Sequence, residues 1–144
     1  MEAKKLGNKY ILRIDKNEEV IETLTKFCTK EKIKLATANA IGAASKIKVG
    51  LFDIAKKTYL SQEFEGVFEI TSLMGTISMM NDQTYLHLHI NFSDQACHAY
   101  GGHLNYCLIG ATCEMVIDVI EGQITRKFEE EIGLNLFDFP NENN

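Results

Sequence analysis

Tyr85-Leu86-His87-Leu88-His89-Ile90-Asn91-Phe92 alternates strictly, with an apolar side chain at every second position. That period of two belongs to a β-strand with one face on a core. Leu86, Leu88, Ile90 and Phe92 then share the buried face, and Tyr85, His87, His89 and Asn91 share the other. Side chains at i and i+2 stand about 6 to 7 Å apart, close enough for His87 and His89 to converge on one ion. Two strand histidines facing water, or bonded to neighbours, would show the same spacing.

Moving outward, Ser93 to Tyr100 reads as a loop that leads into Gly101-Gly102-His103. All four histidines of the chain fall between Leu86 and Leu104, a clustering that random placement rarely produces. Paired glycines allow close backbone approach, which makes His103 a better third ligand than His98. Three neutral imidazoles with one position left open describe a zinc site of the ligand-exchanging or catalytic kind. Asn91, Asp94 or Glu114 would serve as an outer partner or additional ligand.

The rest of the pattern is mostly strand. Tyr10, Leu12 and Ile14 alternate through Lys9 to Asp15, and one helix follows. Asn17 is its expected cap, Glu18 and Glu19 suit its positive end, and Val20, Ile21, Leu24, Phe27 and Cys28 form its apolar stripe. Further strands are expected over Ile33 to Ala38, Lys46 to Leu51, Tyr59 to Glu65, Phe68 to Met79, Thr112 to Ile120 and Ile124 to Glu129. Turns are expected at Asp53 to Lys57, Gly66, Asn81-Asp82 and Glu121-Gly122. Short links imply antiparallel neighbours. Met115, Val116, Ile117, Val119 and Ile120 make a strand apolar on both faces, which points to a second layer or a subunit interface.

With 144 residues, 45% hydrophobic and 24% charged, the chain has the size and composition of one globular domain, expected over 1–139 with a frayed polar tail at 140–144. The amino terminus is polar and no run is long enough to span a membrane, so the expected location is the cytoplasm. Cys28, Cys97, Cys107 and Cys113 lack C-x-x-C spacing and read as buried thiols. A net charge of -5 repels polyphosphate and counts against nucleic-acid binding by the bare chain. Lys46 with Lys48, or Arg126 with Lys127, would be the local basic patches; ordinary solvated strand faces read the same way.

His87-Leu88-His89, then Ser93-Asp94, then Gly101-Gly102-His103-Leu104, resembles the core signature of the plants-and-prokaryotes-conserved (PPC) domain family. Ala40-Ile41-Gly42-Ala43 looks like the family's Gly-Ala turn, Phe68-Glu69-Ile70 with Gly75 like its central strand, and Thr112-x-Glu114 with Arg126 like its closing strands. The resemblance covers nearly the whole chain. It implies an α+β fold, a mainly antiparallel sheet of about seven strands with one principal helix, assembled as a homotrimer. It also implies that His87, His89 and His103 are metal ligands. The architecture is similar to that of acetolactate decarboxylase, a zinc enzyme.

Family members are often described as predicted DNA-binding proteins, and plant members carry AT-hooks, which this sequence lacks. Val67 replaces the arginine of the plant family's partner motif. The function expected is a trimeric, zinc-holding protein that binds a small ligand or regulates. The alternative is a zinc-dependent hydrolase or lyase acting on a small carbonyl substrate, with Glu114 as general base and Arg126 as anion clamp. A solvent-facing Glu114 and a surface ion pair for Arg126 are the plainer readings of those two residues.

Overall fold

Eight strands and one helix succeed one another along residues 1–139, the part of the chain that this computed structural model describes. They are β1 (Glu2–Leu6), β2 (Lys9–Asp15), α1 (Val20–Glu31), β3 (Ala36–Asp53), β4 (Thr58–Met80), β5 (Gln83–Ser93), β6 (Ala99–Val119), β7 (Thr125–Glu129) and β8 (Leu134–Asp138). The expected tail at 140–144 lies outside the described residues. Pairing is antiparallel apart from one parallel pair, Met79 with Thr125, between β4 and β7. The class is α+β, as the sequence indicates, with eight strands rather than about seven.

The long strands curl. β3 pairs with β4 on one side and β6 on the other, and β5 pairs with the same two strands, so β3, β4, β5 and β6 close into a circuit. Inside lie Leu73, Ile77, Leu88, Ile90, Phe92 and Ile109, each almost wholly removed from water. An aromatic group of Phe64, Phe68, Phe92 and Tyr100 fills one end, with ring centroids 5.0 to 6.3 Å apart. Helix α1 lays Val20, Leu24, Phe27 and Cys28 against β5 and β6, the stripe its sequence spacing predicts.

Several expectations are corrected. The helix cap is Glu19, not Asn17: Asn17 sits in the preceding turn at φ 69°, while Glu19 accepts the Glu22 N–H at 2.6 Å and the Cys107 N–H at 3.0 Å. One carboxylate thereby satisfies a helix N-terminus and ties it to β6, which the shorter asparagine would not reach. The turns expected at Ala40 to Ala43 and at Gly66 are not turns. β3 runs through the first with register shifts between Ala40 and Gly42 and between Ala44 and Lys46, so a bulge bends the strand without ending it. β4 likewise runs through Gly66, whose φ of 155° lets a long strand flex.

The strand expected at Thr112 to Ile120 is the far half of β6, whose near half carries Gly101 to His103. Met115 and Ile117 are buried, whereas Val116 and Ile120 face outward with Ile11 and Ile41. Of the cysteines, Cys28, Cys107 and Cys113 are buried and unpaired, and Cys97 is exposed. Burial pushes the Cys28 thiol up to about 12 and, with Glu114 adding to it, Cys113 up to about 11, so neither thiol is poised to react. No helix of the described residues is long and apolar enough to cross a membrane.

Candidate metal centre

β4, β5 and β6 bring the histidines together. Asn81 and Asp82, at φ 50° and 61°, form the tight left-handed turn that folds β5 back along β4. This register sets Thr76 opposite His87 and Met74 opposite His89. On the other edge β6 returns with His103 directly across from His89 and Gly101 across from Asn91. A Cβ at Gly101 would sit 2.5 Å from Asn91 Oδ1 and 2.8 Å from the Ile90 carbonyl, so glycine is what lets the strands approach here.

The three imidazoles form a near-equilateral group, with ring centroids 5.3 Å (His87 to His89), 5.3 Å (His87 to His103) and 5.5 Å (His89 to His103) apart. One ring nitrogen from each lies within 4.8 Å of the others. Around an ion with bonds of about 2.1 Å, tetrahedral nitrogens stand roughly 3.4 Å apart, so the three side chains would have to draw closer to hold one. None of the three rings hydrogen-bonds a described residue, so their lone pairs remain available, and the donor set fits a metal that prefers imidazole. Desolvation, then the neighbouring His103, Arg126 and His89, holds His87 below the usual histidine range; desolvation and His89 do the same for His103. Both are therefore biased toward the neutral form that a metal needs.

The other candidates are dispersed. Asp94 and His98 are bound to each other at the loop before β6. Asp94 accepts from the backbone N–H groups of Ala96 and His98, from the Tyr100 hydroxyl, and contacts His98 Nδ1 at 3.2 Å. Burial works against its charge, but these donors hold its carboxyl below the usual range. Asp94 is thus a loop staple. Asn91 donates to Ser72 Oγ at 3.4 Å and bonds none of the imidazoles. Glu114 is exposed, paired across from Arg13 and Ile41 in the far half of β6. The eleven positions separating it from His103 correspond to on the order of 35 Å of extended strand.

Arg126 is the departure from expectation. It is not a surface ion pair: it retains 8% of its exposure and meets no carboxylate among the described residues. Nε donates to Ser78 Oγ (2.9 Å), Nη1 to the Asn135 carbonyl (2.9 Å) and Nη2 to Thr76 Oγ1 (3.3 Å). Its guanidinium lies between the rings of Tyr85 and Phe137, 4.7 and 4.1 Å from their centroids. Because Thr76 faces His87 across the ladder, the cation abuts the histidine group. On the far side Tyr59 stands edge-on to His103 at 6.4 Å. Neither Phe137 nor Tyr59 was marked by the sequence, since both come from strands whose contacts with the site are long-range.

The expected basic patches are neutralised. Lys48 pairs with Glu63 at 3.1 Å, Lys46 lies 3.9 Å from Glu63 and Glu65, and Lys127 pairs with Asp138 at 3.0 Å.

A family profile, Plants and Prokaryotes Conserved (PCC) domain, matches residues 1–121. The chain belongs to this family, also abbreviated PPC. Its fold is similar to that of a Bacteroides thetaiotaomicron crystal structure provisionally named a DNA-binding protein, at 36% identity and TM-score 0.94 over 96% of each chain. It is also similar to a protein from Archaeoglobus fulgidus described as metal-containing, at 29% identity and TM-score 0.85 over 94% of this chain and 96% of that one. The likeness to acetolactate decarboxylase from Bacillus subtilis has 15% identity and TM-score 0.57, covers 90% of this chain and 60% of that one, and concerns the fold alone. Among curated proteins none matches. The β7–β8 hairpin that carries Arg126 and Phe137 lies beyond the residues that the PPC profile matches, whereas the similarity to the Bacteroides and Archaeoglobus folds, over 96% and 94% of this chain, reaches into it.

Proposed function

We propose that this PPC chain, as one domain over residues 1–139, assembles as a homotrimer that holds a zinc ion on His87, His89 and His103 and offers the remaining coordination place to a small ligand. Its role on this reading is ligand binding or regulation. The observation that carries it is the convergence of three imidazoles with no other described partner. The metal-containing Archaeoglobus protein supports it. Outward-facing Ile11, Ile41 and Val116 supply apolar surface for subunit contact. The test is metal analysis of protein purified without an affinity tag. About one zinc per chain is expected in wild type and little in His87→Ala or His103→Ala; equal content in all three would refute the site. Light scattering reads the trimer directly.

The enzyme reading uses the same residues. The ion would supply Lewis acidity to a carbonyl-bearing substrate, His87, His89 and His103 would hold it, and Arg126 beside them would bind substrate charge. Glu114 is out of reach as a base within one chain. Chelator-sensitive turnover of an ester or keto acid would establish this reading. DNA binding, which the name given to the Bacteroides protein brings to this chain, requires clustered free cations. Lys46, Lys48 and Lys127 are paired and Arg126 is buried, and a net charge of -5 repels polyphosphate, so a gel shift at physiological salt should show no complex.

A further inference from the structure

We propose that Arg126 anchors a carboxylate on the small ligand of the three-histidine centre, so that the physiological ligand is a carboxylic acid with a second donor atom for the metal. This rests on the metal reading above and names the chemistry of what that centre takes.

In a chain of net charge -5, no acidic group among the described residues joins the three-histidine cluster, and none of them pairs with the guanidinium. Burying a cation without a counter-ion is costly, and neutral acceptors offset only part of that cost. If Arg126 served merely to fasten the β7–β8 hairpin to β4, an apolar side chain between Tyr85 and Phe137 would do so without the penalty. A divalent ion on neutral imidazoles would add two further positive charges in the same place. An anion resolves both imbalances.

Geometry narrows the class. Three of the five guanidinium N–H groups are used, by Ser78, Thr76 and the Asn135 carbonyl. That leaves one on each terminal nitrogen, donors that a guanidinium offers to a carboxylate. The stacked rings of Tyr85 and Phe137 fix the guanidinium plane. Thr76, which holds Nη2, faces His87 in the ladder, so a ligand a few atoms long spans from the arginine to the metal position.

The test uses the full chain with cobalt(II), whose visible absorption reports a change in its fourth ligand. Glycolate, a carboxylate with a hydroxyl as second donor, is titrated into the cobalt-loaded wild type and into Arg126→Met and Arg126→Lys. Cobalt should bind all three, and at least as tightly in Arg126→Met as in wild type because a neighbouring cation is removed. Glycolate affinity should fall at least about tenfold in the methionine variant and by an intermediate factor in the lysine variant, which keeps charge but loses the fork. On the unaltered protein, glycolate should bind at least about tenfold more tightly than neutral glycolamide, a comparison that stands even if a variant does not fold. Failure of wild type to bind cobalt would sink the three-histidine reading and the anchor with it. Normal cobalt binding with equal glycolate affinity in wild type and Arg126→Met, or equal binding of glycolate and glycolamide, would sink the anchor alone. Inorganic phosphate binding in preference to glycolate would overturn the carboxylate assignment.

Discussion

The two faces of β5 follow different rules. On the inner face Leu88, Ile90 and Phe92 need only apolar neighbours, and their alternation determines their burial whatever strands happen to flank them. On the outer face His87 and His89 are exposed residues whose meaning depends on what other strands bring: His103 from β6 and Arg126 from the β7–β8 hairpin. The inner face stabilises the fold through area removed from water, and the outer face gathers donors by register. Substitutions on adjacent residues of one strand should therefore have effects that do not mix.

The sharpest way to break that contrast is a pair of alanine variants. Phe92→Ala removes a ring with no exposed surface that contacts Phe64, Phe68 and Tyr100, and should cost about 3 to 5 kcal/mol in denaturant unfolding. His89→Ala, three residues away on the outer face, should leave metal-free stability within about 0.5 kcal/mol while abolishing metal binding. Next in size is the metal itself. Zinc at a free concentration one hundred times its dissociation constant should stabilise wild type by about 2.7 kcal/mol, seen as a raised Tm that His89→Ala does not share.

Gly101→Ala probes the junction between the two faces. Its Cβ would press on Asn91 Oδ1 and the Ile90 carbonyl, so relief requires β5 and β6 to part where His89 faces His103. A loss of about 1 to 3 kcal/mol is expected, with weakened zinc affinity beyond what the stability change explains. Unchanged affinity would mean that the ladder relaxes elsewhere and that the β5–β6 register does not set the spacing of the histidines.

The same division explains what was legible in the sequence. Burial along β2, α1 and β5 could be read directly because each pattern is local and its period unambiguous. Gly66 and the run Ala40 to Ala43 misled, since small residues that mark turns in short strands serve as bends in long ones that must curl into a closed circuit. β1 carries no buried residue at all and β8 none fully buried, so neither shows alternation. The histidines were legible as a cluster. Arg126 was legible as a candidate anion clamp, but its burial was not, because nothing in a polar residue near the end of the chain announces two aromatic rings and three neutral acceptors from elsewhere.

Acidification should separate the faces more gently. His87 and His103 are held below the ordinary histidine value, so between that value and their folded values the unfolded chain binds more protons than the folded one. Their contribution to stability is complete above about pH 6.5, begins to fade as pH falls through it, and is gone below the folded values. Protons also compete with zinc for the same nitrogens, so affinity should decline in that direction, below rather than above the pH at which free imidazole protonates. Calorimetric zinc titrations at pH 8 and pH 5 check this, and equal affinity would contradict histidine ligation.

The smallest expected effect is the most informative about assembly. Glu114 sits on the outer surface beside Ile41, well removed along β6 from the histidines of its own chain. Glu114→Gln should therefore change zinc affinity by less than about twofold if each centre is built by one chain, since the variant keeps shape and removes only a distant, screened charge. A clear loss of affinity would require a carboxylate from a second copy to approach the metal. Mixed assemblies of Glu114→Gln with His103→Ala chains would then show it, because the histidines of the first beside the Glu114 of the second rebuild a complete site and restore zinc affinity that neither parent has. The same result would place a counter-charge at the centre and weaken the case for an external anion at Arg126.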